Sequence, residues 1–261
     1  MAELNLSVQK ATALLRLIGQ ARDGCTLTEL CERSGLALTV CHRLLATLEF
    51  EGLIERSRQS GKFNLGAGLI GLAGRALHSN AVQAAILATL EAVVLETHDS
   101  GLLMVADRSE AVCVARVEGD NPTNVVGTRI GTRTPLHCGG APFAILAFSP
   151  SEVIEAYLSR PLEKRTERTI VDPAAIRERI QETQCRGYAV GDEDLFPYIV
   201  AVGVPVFEPD GRLFGAVSVG HLKQSYDSRR IAEVGAILRD RFSVPVSIGV
   251  NGESAHARSL S

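Results

Sequence analysis

Residues 24–64 constrain this chain more than any other stretch. Thr26-Leu27-Thr28-Glu29 has the spacing of a capping box, in which the hydroxyl and the carboxylate each satisfy the other residue's free backbone N–H. The short helix that follows turns Leu27, Leu30 and Cys31 inward. Ser34-Gly35 stops it, because glycine accepts the left-handed turn that a helix C-terminus needs. The spacing predicts a second helix over 38–50, with Leu44, Leu45 and Leu48 on its inner face and Thr39, Val40, His42 and Arg43 on its N-terminal outer side. Residues 52–56 then read as a strand, Ser60-Gly61 as a turn and residues 62–65 as the return strand. A short helix, a glycine turn, a second helix and a basic hairpin make a winged helix-turn-helix.

Such a second helix fits a major groove, with its N-terminal side chains reaching base edges. Arg43 suits a guanine or a phosphate, Thr39 and His42 a phosphate or a base, and Val40 a thymine methyl. Thr28 on the preceding helix belongs with them, and Arg56, Arg58 and Lys62 on the hairpin suit phosphates. The formal net charge is −3, so no basic surface advertises nucleic acid and any DNA-facing charge must come from local arrangement.

The remainder reads as an α+β chain. Ser7 opens a first helix, with Val8, Ala11, Leu14, Leu15 and Ile18 as its apolar stripe. Residues 65–77 form a helix too apolar to stand alone, which suggests packing against a second chain or between domains. The expected organisation is a DNA-binding domain over 1–66, a linker helix over 67–80, a second domain over 81–250 and a small polar, unfolded tail over 251–261. Within the second domain a helix over 81–96 precedes strands at 101–105, 111–117 and 123–127, and a glycine- and threonine-rich loop at 127–135. Helices follow at 142–148, 151–159 and after Asp172-Pro173. Strands are expected from 187, at 199–207 and at 213–220, the last two joined at Asp210-Gly211. Asp227-Ser228 caps a long helix, and 244–250 adds a terminal strand or a swept-back segment. Strands in antiparallel order with flanking helices define the class.

None of the six cysteines forms a Cys-x-x-Cys pair, which argues against zinc-ribbon and thioredoxin chemistry. No basic-then-apolar run opens the chain, and no apolar run approaches the roughly 20 residues that span a bilayer. The expectation is a reducing cytoplasm, free thiols, no membrane partner and no cofactor or metal. An enzymatic reading rests on His137-Cys138 beside a glycine turn. Neighbours on a strand face opposite ways, however, so His137 is poorly placed as a base for Cys138. A redox reading of Cys25, Cys31 or Cys41 competes with their use as small core residues, and the core reading is preferred.

Several motifs, taken in order, resemble the isocitrate lyase regulator (IclR) family of bacterial transcription regulators. They are residues 7–11, Gly35-Leu36, His42-Arg43-Leu44-Leu45 with Leu48, Gly52-Leu53, Leu65-Gly66, Gly131 with Pro135-Leu136-His137, Arg186-Gly187-Tyr188, Gly203-Val204-Pro205-Val206 and Ala216-Val217-Ser218. The resemblance implies a winged helix-turn-helix, a linker helix and a GAF-like effector domain with an antiparallel sheet. It implies homodimers or tetramers on double-stranded operator DNA, and effectors that are small organic acids or aromatic catabolites.

The departures are specific. Ala37, Leu38, Thr39 and Val40 stand where the family often has Pro-Lys-Ser-Thr, which leaves more of the polar readout to Thr39, His42 and Arg43. After Gly140-Ala141 the family usually has Gly-Lys, and here Pro142-Phe143 follow. Relatives that bind small carboxylates use an acid, a cysteine and two serines. Those positions are here Gly191 (beside Asp192), Ala201, Ser218 and Gly220. The implied pocket has lost polar groups and gained room, for an effector larger or more apolar than a two-carbon acid. Gly139, Gly140 and Ala141 would offer helix-terminal N–H groups to a carboxylate. Ser218 would add a second bond, and Val126, Ile199 and Ala201 would line the wall. Arg129 and Arg133 read as solvated rather than as a gate.

Overall fold

The computed structural model describes residues 4–21, 23–78, 81–120 and 127–243. The chain divides at residue 80 into two compact units. The first begins with α1 (Leu6–Gln20), α2 (Leu27–Ser34) and α3 (Leu38–Phe50). These pack around Leu14, Ile18, Cys25, Leu30, Cys41, Leu45 and Leu48, all buried. Asn5, not Ser7, caps α1: its carboxamide oxygen accepts from Ser7 N at 3.0 Å and Val8 N at 3.2 Å. Val8 lies outside the apolar stripe at 62% exposure. The capping box is formed, with Thr26 N donating to Glu29 Oε2 at 2.7 Å. Gly35 ends α2 at φ 68°.

The wing pairs β1 (Ile54–Arg56) antiparallel with β2 (Phe63–Leu65). Cys25 extends this sheet by exchanging two backbone bonds with Phe63, at 3.0 and 2.7 Å. Gly24 permits the approach, since at φ 71° a Cβ there would meet Phe63 O at 2.7 Å. α4 (Gly68–His78) follows. Gly66 N donates to Leu53 O at 2.9 Å and Gly68 N to Gly52 O at 3.0 Å. A side chain on Gly66 would be driven into the Gly52 carbonyl. The base of α4 is therefore set backbone to backbone against the end of α3. Among the apolar residues of this unit, Leu4, Leu6, Ile70 and Leu72 are exposed, Ile70 at 74%.

The second unit is a six-stranded antiparallel sheet, in the order β5 (Arg133–Pro135), β4 (Glu110–Val117), β3 (Ser100–Asp107), β8 (Leu213–Leu222), β7 (Ile199–Phe207), β6 (Ala189–Asp192). Residues 133–135, expected in a loop, form β5 on the edge of β4. Arg133 fixes that edge through Glu110 (2.7 Å) and Asp107, so it neither gates a pocket nor is simply solvated. The strand expected at 123–127 lies outside the described residues except for Gly127, which is not in a strand. Val126, residues 244–250 and the tail also lie outside them.

Period-2 alternation sorts the sheet's side chains into two cores. One face carries Leu103, Val200, Val202, Val204, Val217 and Val219 against α5 (Ala81–Thr97) and α9 (Ser228–Phe242). The other carries Leu102, Met104, Ala189 and Ala216 against α6 (Gly140–Ala147), with α7 (Ser151–Leu158) and α8 (Pro173–Arg186) adding to its core. The β3–β4 register shifts between Leu103 and Met104, leaving Val114 as an extra residue on β4, so that Cys113 and Ala115, two apart, serve opposite cores. α6 begins at Gly140, not Pro142, so the proline stands third in its first turn, where its missing N–H has no intrahelical partner to lose. Asp172 caps α8 through Ala175 N (2.9 Å) and Asp227 caps α9 through Arg230 N (2.7 Å). Among the described residues, no helix is long and apolar enough to cross a membrane.

Candidate DNA-reading and effector sites

α3 is oriented by its burial. Cys41, Leu45 and Leu48 are buried against α1 and α2, so the opposite face carries Thr39, His42 and Arg43, all exposed, with Val40 half-buried. No side chain caps the helix: its N-cap is Ala37, in extended conformation. Leu38 stands at that open end, 59% exposed. Thr28 is exposed on α2, as are Arg56 and Arg58 on the wing, whereas Lys62 is half-buried. Arg56 is partly committed to the wing itself. Its Nε donates to Gly61 O at 3.2 Å, and its guanidinium lies 5.4 Å from the Phe63 ring centroid.

Cys25 and Cys41 are buried in this unit's core, and all six thiols are free. Burial, and secondarily the neighbouring Cys31, raises the Cys41 thiol pKa. That disfavours the reactive thiolate.

In the second unit a cavity opens between the N-terminus of α6 and the sheet. Gly140, Ile199, Ala201 and Ser218 line it together with Leu102, Met104, Thr128, Leu195 and Phe196. It offers about 40 Å³ to the centres of water molecules, room for roughly three waters at 10–15 Å³ each. Gly191 adds no room to it. A Cβ on Gly191 would stand 2.5 Å from Gly139 Cα, and one on Gly203 2.5 Å from Gly140 C. These glycines let α6 press directly onto the β6 and β7 backbones, and Leu195 and Phe196 narrow what remains.

Three expected residues are placed elsewhere. Asp192 is turned away to Lys223 and to Arg168, the latter at 3.1 Å. Ala141 is fully buried, with its N near the Gly203 backbone. Gly220 faces Ala201 across the strand pair, where a Cβ would lie 3.0 Å from Val200 O.

Sequence reasoning does not reach Asp194. Its carboxylate is buried at the α6 terminus, where Oδ1 accepts from Gly139 N at 2.9 Å. Oδ2 accepts from Arg179 Nη2 at 2.8 Å. Arg179, itself nearly buried, also donates to Val190 O and stacks 4.0 Å from the Phe143 ring centroid. The sequence hides this pair, because no motif or periodicity links Asp194 to Arg179. Leu102 and Met104 were accessible to strand alternation.

His137 and Cys138 do not act together. His137 Nδ1 meets Tyr157 Oη at 2.7 Å and its Nε2 meets Glu163 O at 3.0 Å. Those partners assign the proton to Nε2, with Tyr157 donating to Nδ1. The Cys138 thiol faces Pro135 O, and burial pushes its pKa up to about 12.

A winged helix-turn-helix joined to an antiparallel-sheet domain with a largely apolar cavity defines a ligand-responsive DNA-binding regulator. The chain belongs to the IclR family of bacterial transcriptional regulators: the IclR helix-turn-helix domain matches residues 7–58 and the IclR C-terminal domain matches residues 74–243. It is 28% identical over 241 residues to the HTH-type transcriptional regulator KipR of Bacillus subtilis, covering 92% of this chain and 95% of that one. The crystal structure of an IclR transcriptional regulator from Alicyclobacillus acidocaldarius superposes with a TM-score of 0.82 at 27% identity, covering 92% and 97%. An IclR homologue from Microbacterium hydrocarbonoxydans, complexed with 4-hydroxybenzoate, shares the fold with a TM-score of 0.77 at 22% identity, over 91% and 96%.

Proposed function

We propose that this regulator reads operator DNA chiefly through Thr39, His42 and Arg43 on α3. Val40 adds an apolar contact, and Thr28, Arg58, Lys62 and the free edge of Arg56 meet the phosphates. The observation that carries this reading is the division of α3 into a buried face and an exposed polar one. Paired wings need two chains. The exposed Leu4, Leu6, Ile70 and Leu72 support a homodimer formed through the first unit. Its effector, an organic acid or an aromatic catabolite, occupies the cavity beneath α6. The 4-hydroxybenzoate carried by the Microbacterium relative supports a ligand of that size, which would require Leu195 and Phe196 to give way. The effector leaves unchanged, because His137 and Cys138 form no catalytic pair. Binding favours one placement of the paired wings through α4, and so one half-site spacing.

The test uses an operator selected from random duplexes. Arg43→Ala is expected to weaken binding by about 1–3 kcal/mol in a gel-shift titration while the melting temperature stays unchanged. Operator affinity equal to that of the unsubstituted protein would remove α3 from this role.

A further inference from the structure

A second opening in the sheet domain lies away from the α6 terminus. It is a surface cleft of about 320 Å³ between the tip of the β3–β4 hairpin and α7, within the size range of small-molecule sites. α7 turns Glu152, Val153, Ala156 and Tyr157 toward it, Arg160 follows just past the helix end, and the hairpin adds Arg108 and Ser109. The numbers 152, 153, 156, 157 and 160 have the spacing of one helix face. Leu136, Val153, Ala156 and Tyr157 give the cleft an apolar floor. The Tyr157 hydroxyl is committed to Leu136 N at 3.0 Å and to His137, so its share of that floor is apolar too.

Two guanidinium groups stand at its rim without a carboxylate. Neither Arg108 nor Arg160 has a side-chain hydrogen bond or an ion pair among the described residues. In the same unit Arg133, Arg177, Arg179 and Arg230 each meet one. Arg160 lies 5.0 Å from the Tyr157 ring centroid. Asp107 and Glu110 pair across the hairpin, so Arg108 and Ser109 form its two-residue loop. Arg108 takes φ 59° there, a conformation that glycine, asparagine and aspartate adopt more readily. Turn geometry therefore does not account for an arginine at this position. The other carboxylates of the hairpin and α7 are taken, Asp107 and Glu110 by Arg133 and Glu155 by Arg177. Glu152 alone lines the cleft beside the two arginines, which leaves the lining with a net positive charge.

We propose that this cleft is a second ligand site, separate from the cavity beneath α6, and that it takes an organic acid carrying one negative charge. Its carboxylate meets Arg108 and Arg160, whose planar N–H groups suit a carboxylate. Its apolar body rests on Leu136, Val153 and Ala156. Glu152 opposes a second negative charge, which favours a monoanion over a dianion. Both guanidinium groups are exposed, so the attraction is moderate and is screened by salt. The site stands independently of the cavity beneath α6 being the effector site.

The test is benzoate binding to the full chain at low salt, read by ligand-observed NMR and calorimetry beside benzamide and inorganic phosphate. Benzoate is expected to bind at least about five-fold more tightly than either, since benzamide lacks the charge and phosphate lacks the apolar body. Arg108→Gln and Arg160→Gln should each weaken benzoate about two- to five-fold, and Glu152→Gln should strengthen it about two-fold. A folding defect would not produce that last gain. The same three effects should persist in an Ala201→Leu background, where the added side chain fills the cavity beneath α6. Benzoate affinity indifferent to all three substitutions would overturn the proposal and leave the reading of that cavity untouched. Benzamide or phosphate binding as tightly as benzoate would overturn it, as would no benzoate binding at all. Joint replacement of Arg108 and Arg160 that altered sedimentation while benzoate affinity held would make the cleft a contact between copies of the chain, and would overturn it too.

Discussion

Two helix N-termini in this molecule solve the same problem in opposite ways. α3 and α6 each begin with N–H groups that their own N-cap side chains do not satisfy, since Ala37 and Gly139 offer no acceptor. At α3 the end is exposed, and water or a DNA phosphate can take those donors. At α6 the end is buried, so the protein itself must answer. Asp194 reaches it from 55 residues downstream, held by Arg179. The exposed end stays open to an exchangeable partner. The buried end is filled by a fixed charge, itself paired with Arg179.

Removing one member of the buried pair should have the largest effect. Arg179→Ala leaves Asp194 desolvated and uncompensated, and a loss of about 3–5 kcal/mol of unfolding free energy is expected in urea titration. A loss below about 1 kcal/mol would mean that the two ends are less different than their burial suggests. A smaller and sharper test places the same residue at both ends. Gly139 sits at φ 80°, where a Cβ would lie 3.1 Å from Leu195 Cδ2, so Gly139→Ser should cost about 1–2 kcal/mol. Ala37 already has the extended backbone of an N-cap, so Ala37→Ser should stabilise by about 1 kcal/mol. Melting temperatures moving in the same direction for both would refute the contrast.

The smallest effect is one of pH. Burial lowers the His137 pKa, so the unfolded chain takes up a proton there before the folded one does. Stability should therefore be complete above about pH 6.5, the ordinary histidine value, and decline as the pH falls toward the lowered folded value. Urea midpoints between pH 7.5 and 5.5 should show this decline, and His137→Gln should flatten it.

The helix-turn-helix was legible because local signals agree there. The capping box, the left-handed Gly35 and the 38–50 periodicity each specify the same elements without long-range help. The strands at 199–207 and 213–222 were legible from β-branched runs about Asp210-Gly211, with only the last two residues unforeseen. β5 was not, because three residues on a sheet edge take their conformation from Glu110 and Asp107 across the gap. The cavity was half legible. Ala201 and Ser218 came from the family resemblance and Gly140 from the glycine turn before a helix, and they line one cavity with Ile199. Asp194 follows only from tertiary pairing with Arg179. The missing side chain at 191 was read as space, whereas the Gly139 backbone uses it for closer approach.

The three glycines Gly52, Gly66 and Gly68 carry a mechanical consequence. With main chain resting on main chain at the foot of α4, the joint has no side-chain padding to absorb a small rotation. A rotation of α4 would have to pass to the C-terminal end of α3 through these backbone contacts, as in a lever cut from one piece rather than hinged. Bulk introduced at Gly66 would not merely loosen that joint. It would change the angle at which torque on the linker becomes motion of the reading head.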